Sequence, residues 1–498
     1  MTDADVVIVG NGPVGATLSV LLAQQGWRVV VLERRPRPYT LPRATSFDGE
    51  TARLLAATGI GPSLGGITLP ANGYQWQTAA GEPLVDITFT TTGRYGWPDA
   101  NTMHQPALEE LIAARASSLG VTVLRGHEVV DIADNGDVVT VATDDRSFTA
   151  RWVVGCDGAN SFVRDHLDVS VTDLGFSYEW LLCDVELREP RDFVPTNVQI
   201  CDPVRPTTLV GSGPGRRRWE FMRLPGESTA ELNRDETAWR LLAPFGVTED
   251  NATLLRSTTY IFQARWADQW RVGRVLLAGD AAHLMPPFAG QGMCSGIRDV
   301  VNLAWKLDLT LRGVADESLV DSYVVERRAQ AKESIQSSVQ LGRVICVTDP
   351  LAAAERDVTV LANRRGRPPG RPEPASPLTA GLLRSEPPAG EVVPQGRVCW
   401  QGVTGLFDDV VGRGFVLLTT DSVALSEDQV GFLRELGAHV VRLGEVSDVD
   451  DVYRPYLARF GATALLVRPD YHVFGAATDA AVLIDDLRAQ VRAGAAVL

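Results

Sequence analysis

Two stretches of the chain place glycines and carboxylates where a phosphate-bearing or flat anionic ligand could be held. In the first, Gly10-Asn11-Gly12-Pro13-Val14-Gly15 follows the apolar run Val6 to Val9 and fits G-x-G-x-x-G. A helical segment then leads to a second apolar run, Val29 to Leu32, closed by Glu33 with Arg34 beside it. The glycines permit a tight turn, close approach of a pyrophosphate and packing of helix on strand, and Glu33 can accept from a ribose hydroxyl. Alone such a motif is weak, but strand, turn, helix, strand and acid in this order read as a dinucleotide site. In the second stretch, Val275 to Ala278 suits a buried strand and Gly279-Asp280 follows where that strand would leave its sheet. A carboxylate there sits where open α/β sheets bind ligands. Pro286 and Pro287 stiffen the next loop, and Gly290-Gln291-Gly292-Met293 opens a helix whose apolar face falls at Val300, Leu303, Ala304, Leu307 and Leu311. Unpaired backbone N–H groups and a positive helix end meet at one spot, which suits an anion or a ring that becomes anionic. A reduced flavin is such a ring.

These residues need an α/β frame to hold them, and 498 residues at 45% hydrophobic content suffice for two or three domains. A formal charge of −15 and a pI near 5.0 argue against nucleic acid and anionic membrane as partners, since both demand a basic face. A small molecule is the expected partner. No basic segment precedes an apolar one at the N-terminus and no apolar run is long enough to span a bilayer, so a soluble, cytoplasmic protein is expected. The six cysteines form no CxxC pair and the six histidines show no metal spacing, which predicts neither a metal site nor a dithiol centre. Only two of the 47 basic residues are lysines, a bias of GC-rich bacterial genomes.

The run GDAAH, PPF, GQGM, SGIRD and NLAWKL from Gly279 to Leu307, with Gly155-Cys156-Asp157-Gly158 and Tyr323-Val324-Val325-Glu326-Arg327-Arg328, resembles the FAD-dependent aromatic hydroxylases. These are single-component flavoprotein monooxygenases, and the resemblance is to the 3-(3-hydroxyphenyl)propionate hydroxylase and polyketide hydroxylase branch. Cys294 stands where the family usually has Asn, which puts one ring contact in doubt, and Ala329 stands where Pro is usual. The resemblance implies noncovalent FAD, NADH or NADPH as co-substrate, and oxygenation by O₂ of a phenolic or polyketide-type ring through a flavin C4a-hydroperoxide. It also implies that Arg43, Gln105, Val129, Asp157, Asp280, Pro287, Gly290, Gln291, Gly292 and Met293 border the cofactor. For Asp157 the alternative is an ion pair with Arg164 that closes a turn. Phenol hydroxylases move the phenolic proton with an Asp in the early loop and a Tyr before the GD strand, and Asp48 and Tyr260 stand near those places. A helix cap and a packed strand residue are the plain alternatives. Baeyer–Villiger or epoxidising chemistry on the same scaffold, and a flavin-binding protein without turnover, remain the other readings.

The expected fold is a Rossmann-type FAD-binding domain from 1–72, 98–175 and 266–350, interrupted by a mainly antiparallel substrate domain from 73–97 and 176–265. Runs such as Trp180 to Val185 and Arg218 to Met222 supply the strands of the second. Gly211-Ser212-Gly213-Pro214-Gly215 lacks a third glycine at Arg216 and reads as a hairpin turn, so no second dinucleotide motif, and no separate nicotinamide domain, is expected. The Pro-, Arg- and Gly-rich 351–394 reads as a linker. The resemblance makes 395–498 a thioredoxin-like domain without CxxC, used for packing or for homo-oligomer formation.

Overall fold

Short apolar runs that alternate with helices form a parallel sheet because each run must be covered on both faces. Its strands lie in the order Val275–Leu277, Trp152–Gly155, Val6–Val9, Val29–Glu33 and Thr122–Arg125, with Arg271–Val272 antiparallel at one edge. The computed structural model describes residues 2–493; Met1 and 494–498, the outer ends of two of the expected domains, lie outside the described residues. Helices Pro13–Gln24 and Gly292–Leu311 pack closely here. A Cβ on Gly296 would lie 2.6 Å from Val14 Cγ2, so only glycine lets the two backbones meet. From Cys294 to Leu311 every residue of the second helix is buried, the five expected apolar positions among them. Among the described residues no helix is long and apolar enough to cross a membrane.

Over this frame lies an eight-stranded sheet in the order His283–Leu284, Ala252–Ala267, Val171–Leu187, Arg216–Met222, Thr207–Gly211, Asn197–Ile200, Gly73–Gln77 and Pro83–Thr88. All its pairings are antiparallel except that of Asn197–Ile200 with Gly73–Gln77. Its two long strands begin before 176 and end after 265, and His283–Leu284 adds a strand from beyond the expected segment. The turn between Gly211 and Arg216 closes a hairpin.

Region 351–394 differs from the expected linker. Its start is the helix Pro350–Arg364, capped by Asp349 accepting from Ala352 N at 2.8 Å, and Arg364 bonds Asp86 on the eight-stranded sheet at 3.0 Å. The proline-rich composition begins only after this helix. The C-terminal domain has strands in the order His439–Arg442, Val416–Thr419, Ala464–Val467, Val473–Ala477, the first pair parallel and the others antiparallel. With Glu427–Glu435 and Ala480–Ala493 as helices this is the thioredoxin-like arrangement. Buried pairs dock it: Arg53 Nε meets Asp408 at 2.7 Å, and Arg468 Nη2 and Lys306 Nζ each meet Glu326 Oε2 at 2.7 Å.

Candidate active site

The first glycine motif is built as its spacing requires. Gly10 has φ +99°, and a Cβ there would stand 2.5 Å from the Cys156 carbonyl oxygen. Gly15 would put a Cβ 2.2 Å from Gly10 O, so helix Pro13–Gln24 lies directly on the first strand. A Cβ on Gly12 would meet nothing within 4 Å, because Gly12 borders an open cleft of about 910 Å³. Pro13 opens the helix where no N–H is needed. The same cleft is lined by Gly10, Glu33, Arg34, Arg43, Gln105, Val129 and Asp157. Val14 and Gly15 lie behind it, in the helix packing.

Within the cleft, Glu33 accepts from Asn11 N at 2.9 Å and Arg35 N at 2.8 Å, which fixes the carboxylate and leaves lone pairs for a ribose hydroxyl. Gln105 is buried and its amide is engaged. Its Oε1 accepts from Arg43 N at 2.9 Å and Ala44 N at 2.7 Å, while Nε2 donates to Glu109 at 2.6 Å. It therefore positions the Arg43 loop. Asp157 caps the short helix after it, accepting from Ser161 Oγ at 2.5 Å and Val163 N at 3.1 Å, and burial pushes its carboxyl up. The expected alternative, a pair with Arg164, does not form: Arg164 bonds its neighbour Asp165 at 2.9 Å and the Ala159 carbonyl at 3.2 Å.

The second motif is anchored by residues that the sequence reading passed over. Asp299 Oδ2 accepts from Gly279 N at 3.0 Å and His283 Nε2 at 2.8 Å, and Oδ1 accepts from Arg327 Nε at 3.0 Å. Burial opposes ionisation, but these partners outweigh it and hold Asp299 below its ordinary value. The strand end that carries Asp280 is thus pinned from helix Gly292–Leu311. Asp280 itself makes no hydrogen bond with any described residue, and burial pushes its carboxyl up. Beyond it come the turn Pro287–Ala289, Gly290 at φ +64°, Gln291, and the helix start at Gly292 and Met293.

Gln291 bridges to Asp48. Its Nε2 donates to Asp48 at 3.2 Å and its Oε1 accepts from Arg298 Nη1 at 2.8 Å. Arg298 Nη2 reaches Asp48 at 2.6 Å and its Nε reaches Glu50 at 3.0 Å. Asp48 also caps helix Gly49–Leu55, accepting from Thr51 N at 2.7 Å. Burial pushes this carboxyl up, yet Arg298 and Thr51 overcome it and hold Asp48 below its ordinary value. Arg298 lies seven residues after Gln291, two turns on and on the same helix face, and that spacing is the signal that could have found it. Cys294 is fully buried with Sγ 3.7 Å from Gly290 O, and burial pushes its thiol up to about 12, so it is a packing residue.

Above this loop the eight-stranded sheet presents aromatic rings. Phe288 meets Trp180 at 5.7 Å and Phe262 at 5.9 Å, both edge-on, and Trp180 stacks on Phe262 at 5.8 Å. Tyr260 belongs to the same cluster. Its hydroxyl accepts from Arg256 Nη1 at 3.1 Å and lies near Tyr39, which lines the open cleft. Burial and Tyr39 push Tyr260 up; for Tyr39 burial is outweighed by Tyr260 and Arg256, which lower it. Arg218 and Arg256, both paired with Asp184, also donate to the Pro42 carbonyl at 2.7 and 2.5 Å. So Asp48 meets the ring loop through Gln291, and Tyr260 shares the Phe288 cluster on the sheet above.

A cleft beside a glycine whose Cβ would stand free, a fixed acid at the second strand's end, and an unpartnered acid ahead of a glycine-rich helix start fit FAD, adenosine end to ring end. A parallel-sheet domain with that site and a separate sheet over the ring loop defines a flavin-dependent aromatic hydroxylase. The comparisons agree: models of the FAD binding domain family and of the HcaD C-terminal domain match residues 3–338 and 390–490. The chain belongs to this family of FAD-dependent aromatic hydroxylases. It is 40% identical to a probable NADH-specific resorcinol 4-hydroxylase of Rhodococcus jostii (strain RHA1), over 96% of this chain and 93% of that one. It is 32% identical to a 3-(3-hydroxy-phenyl)propionate/3-hydroxycinnamic acid hydroxylase of Comamonas testosteroni, over 95% and 94%. The crystal structure of aklavinone-11 hydroxylase with FAD and aklavinone superposes with a TM-score of 0.77 over 99% of both chains, at 24% identity, a likeness of fold.

Proposed function

We propose that this enzyme hydroxylates a single-ring phenol and draws its electrons from NADH. The observation that carries this reading is Tyr260, set among Trp180, Phe262 and Phe288 over the ring loop, bonded to Arg256 and close to Tyr39 on the open cleft. FAD, when bound, would supply the redox chemistry between the nicotinamide, O₂ and the ring. Gly10, Gly12, Glu33 and Asp280 would hold it, and the helix start at Gly292 would offer N–H groups to an anionic ring. The aromatic roof excludes water, which protects the activated oxygen from loss as H₂O₂.

The chain's own acid–base groups then have distinct tasks. Arg298 keeps Asp48 anionic, which makes it a weak base at neutral pH and an effective fixed acceptor for Gln291. Tyr260 receives the phenolic proton and passes one to Tyr39 at the cleft. The relatives whose names give resorcinol and 3-hydroxyphenylpropionate support a phenolic ring, and the name of the first supports NADH. The C-terminal domain braces the frame within one chain through Arg53 and Arg468. The test is a panel of phenols scored by stimulated NADH oxidation and by a product heavier by one oxygen. Tyr260→Phe should keep its FAD while more of the NADH consumed appears as H₂O₂. A wild type whose NADH oxidation no phenol stimulates, or a Tyr260→Phe variant with unchanged coupling, would refute the corresponding part.

A further inference from the structure

The strand Arg216–Met222 turns Arg218, Glu220 and Met222 to one face and Arg217, Trp219 and Phe221 to the other. Arg218 donates to the carbonyls of Pro42 and Arg43 on the FAD-binding frame, and Met222 joins the apolar cluster of Phe288. Glu220, between them, lies on the same face as these two residues. Its side chain is 9% exposed, and its carboxylate has no hydrogen bond among the described residues; Arg218 Nη1 is 3.8 Å away. That guanidinium is already held by Asp184 at 2.7 Å and by two carbonyls. Cross-strand from Glu220 stand Leu182 and Thr208, and Thr208 donates its hydroxyl to Gln199 at 2.5 Å. Glu220 is thus a buried acid without a hydrogen-bond donor among the described residues, on the sheet face that carries Met222 of the Phe288 cluster.

We infer that Glu220 is a substrate-binding residue, accepting a hydrogen bond from a second hydroxyl of an uncharged dihydroxy aromatic ring and discriminating against phenols that carry a carboxylate. The inference rests on the hydroxylase reading above and names its substrate class. Tyr260 lies two strands away and one alternate position along, about 12 Å between Cα atoms by ideal sheet spacing. Two side chains converging across that span bracket one small ring, with Tyr260 on one hydroxyl and Glu220 on the other. A substrate carboxylate in the same place would meet a second acid, and Arg218 on the same strand and Arg256 two strands away are both held by Asp184. The groups around Glu220 are Arg218, Asp184, Arg256 and the Tyr74 phenol. Burial outweighs the two guanidinium groups and pushes Glu220 up to about 7. Ionised, it takes a charge-assisted bond from a phenol. Affinity for the ring therefore rises with pH through this value.

The experiment titrates the FAD-loaded enzyme with resorcinol and with 3-(3-hydroxyphenyl)propionate, following the flavin absorbance, from about pH 5.5 to 8.5. Wild type should bind resorcinol the more tightly, with an inflection near neutrality. Glu220→Gln, with FAD content and melting temperature retained, should weaken resorcinol binding about 10- to 100-fold above that inflection, abolish the inflection and narrow the preference. A variant within about twofold of wild type, or a wild type that prefers the propionate, overturns the inference. If the variant does not fold, the wild-type profile decides: a flat one overturns it. Glu220-dependent binding of resorcinol without oxygenation upholds the contact and removes resorcinol as the oxygenated substrate. Equal oxygenation of resorcinol by both proteins upholds the hydroxylase and removes the contact.

Discussion

Arg298→Met is the sharpest test of how the ring loop is held. The guanidinium serves three acceptors at once: Asp48 at 2.6 Å, Glu50 at 3.0 Å and Gln291 Oε1 at 2.8 Å. Methionine fills most of the volume and leaves two carboxylates without their shared counter-charge. Removing one partner of a buried pair costs about 3–5 kcal/mol. Glu50 is 4% exposed, whereas Asp48 retains 26% and recovers part of its solvation, so the lower end applies. At about 2 °C per kcal/mol for a large domain, a loss of roughly 3 kcal/mol lowers the melting temperature on the order of 6 °C. The pH dependence has a fixed sign. Asp48 is lowered in the folded state, so its ionised form stabilises wild type above the unfolded value of about 3.9, and that stability is lost as pH falls through the depressed folded value. The gap between wild type and variant is therefore full at pH 7 and narrows in acid. Melting followed by release of flavin fluorescence, with Arg298→Lys as the charge-retaining control, measures it. An unchanged melting temperature at neutral pH, or a gap that widens in acid, would refute the reasoning.

Three further outcomes separate the parts of the site. Asp280→Ala should weaken FAD binding about tenfold with little change in the melting temperature of the apoprotein, because Asp280 bonds no described residue; equal FAD affinity would remove it from the site. Gly12→Ala should fold and lose FAD affinity, since its Cβ meets only the cleft, whereas Gly10→Ala should fail to fold, having a positive φ and a Cβ 2.5 Å from Cys156 O; stability assays on both apoproteins check the contrast. Arg468 and Lys306 outweigh burial and hold Glu326 at about 2, so this pairing stabilises the docked C-terminal domain fully above about pH 4.3 and is lost as the pH approaches 2. Arg468→Met should make limited proteolysis of that domain rapid already at pH 7, and equal cleavage rates would count against the brace.

What could be read in advance was local. The close approaches at Gly10 and Gly15 follow from six consecutive residues. Of Arg298's partners only Gln291 was legible, seven residues earlier; Asp48 and Glu50 lie about 250 positions earlier. Among 45 arginines and 62 acids a single sequence does not say which pairs meet. Where a pair was expected from proximity, as for Asp157 and Arg164, backbone donors and the adjacent Asp165 took the two groups separately. The helix Pro350–Arg364 was readable, since Asp349 and Pro350 are cap and first-turn residues, but the prolines and arginines that follow it coloured the whole segment. Alternation in Arg218 to Met222 did put Glu220 on the face of Arg218 without saying which face met the flavin.

Three acids near the ring loop show why chemistry depends on those distant pairings. Asp48, Asp280 and Glu220 are all partly or wholly buried carboxyls, and burial pushes each of them up. Arg298 meets Asp48 directly and restores its charge, which turns it into a fixed acceptor for Gln291. Among the described residues no guanidinium makes a salt bridge to Asp280. Glu220 competes with Asp184 for Arg218 and loses, 3.8 Å against 2.7 Å, and is left near neutrality. Moving one arginine would exchange these roles without altering a glycine or a carboxylate. The role inferred for Glu220 thus depends on Asp184 holding the nearer place on Arg218.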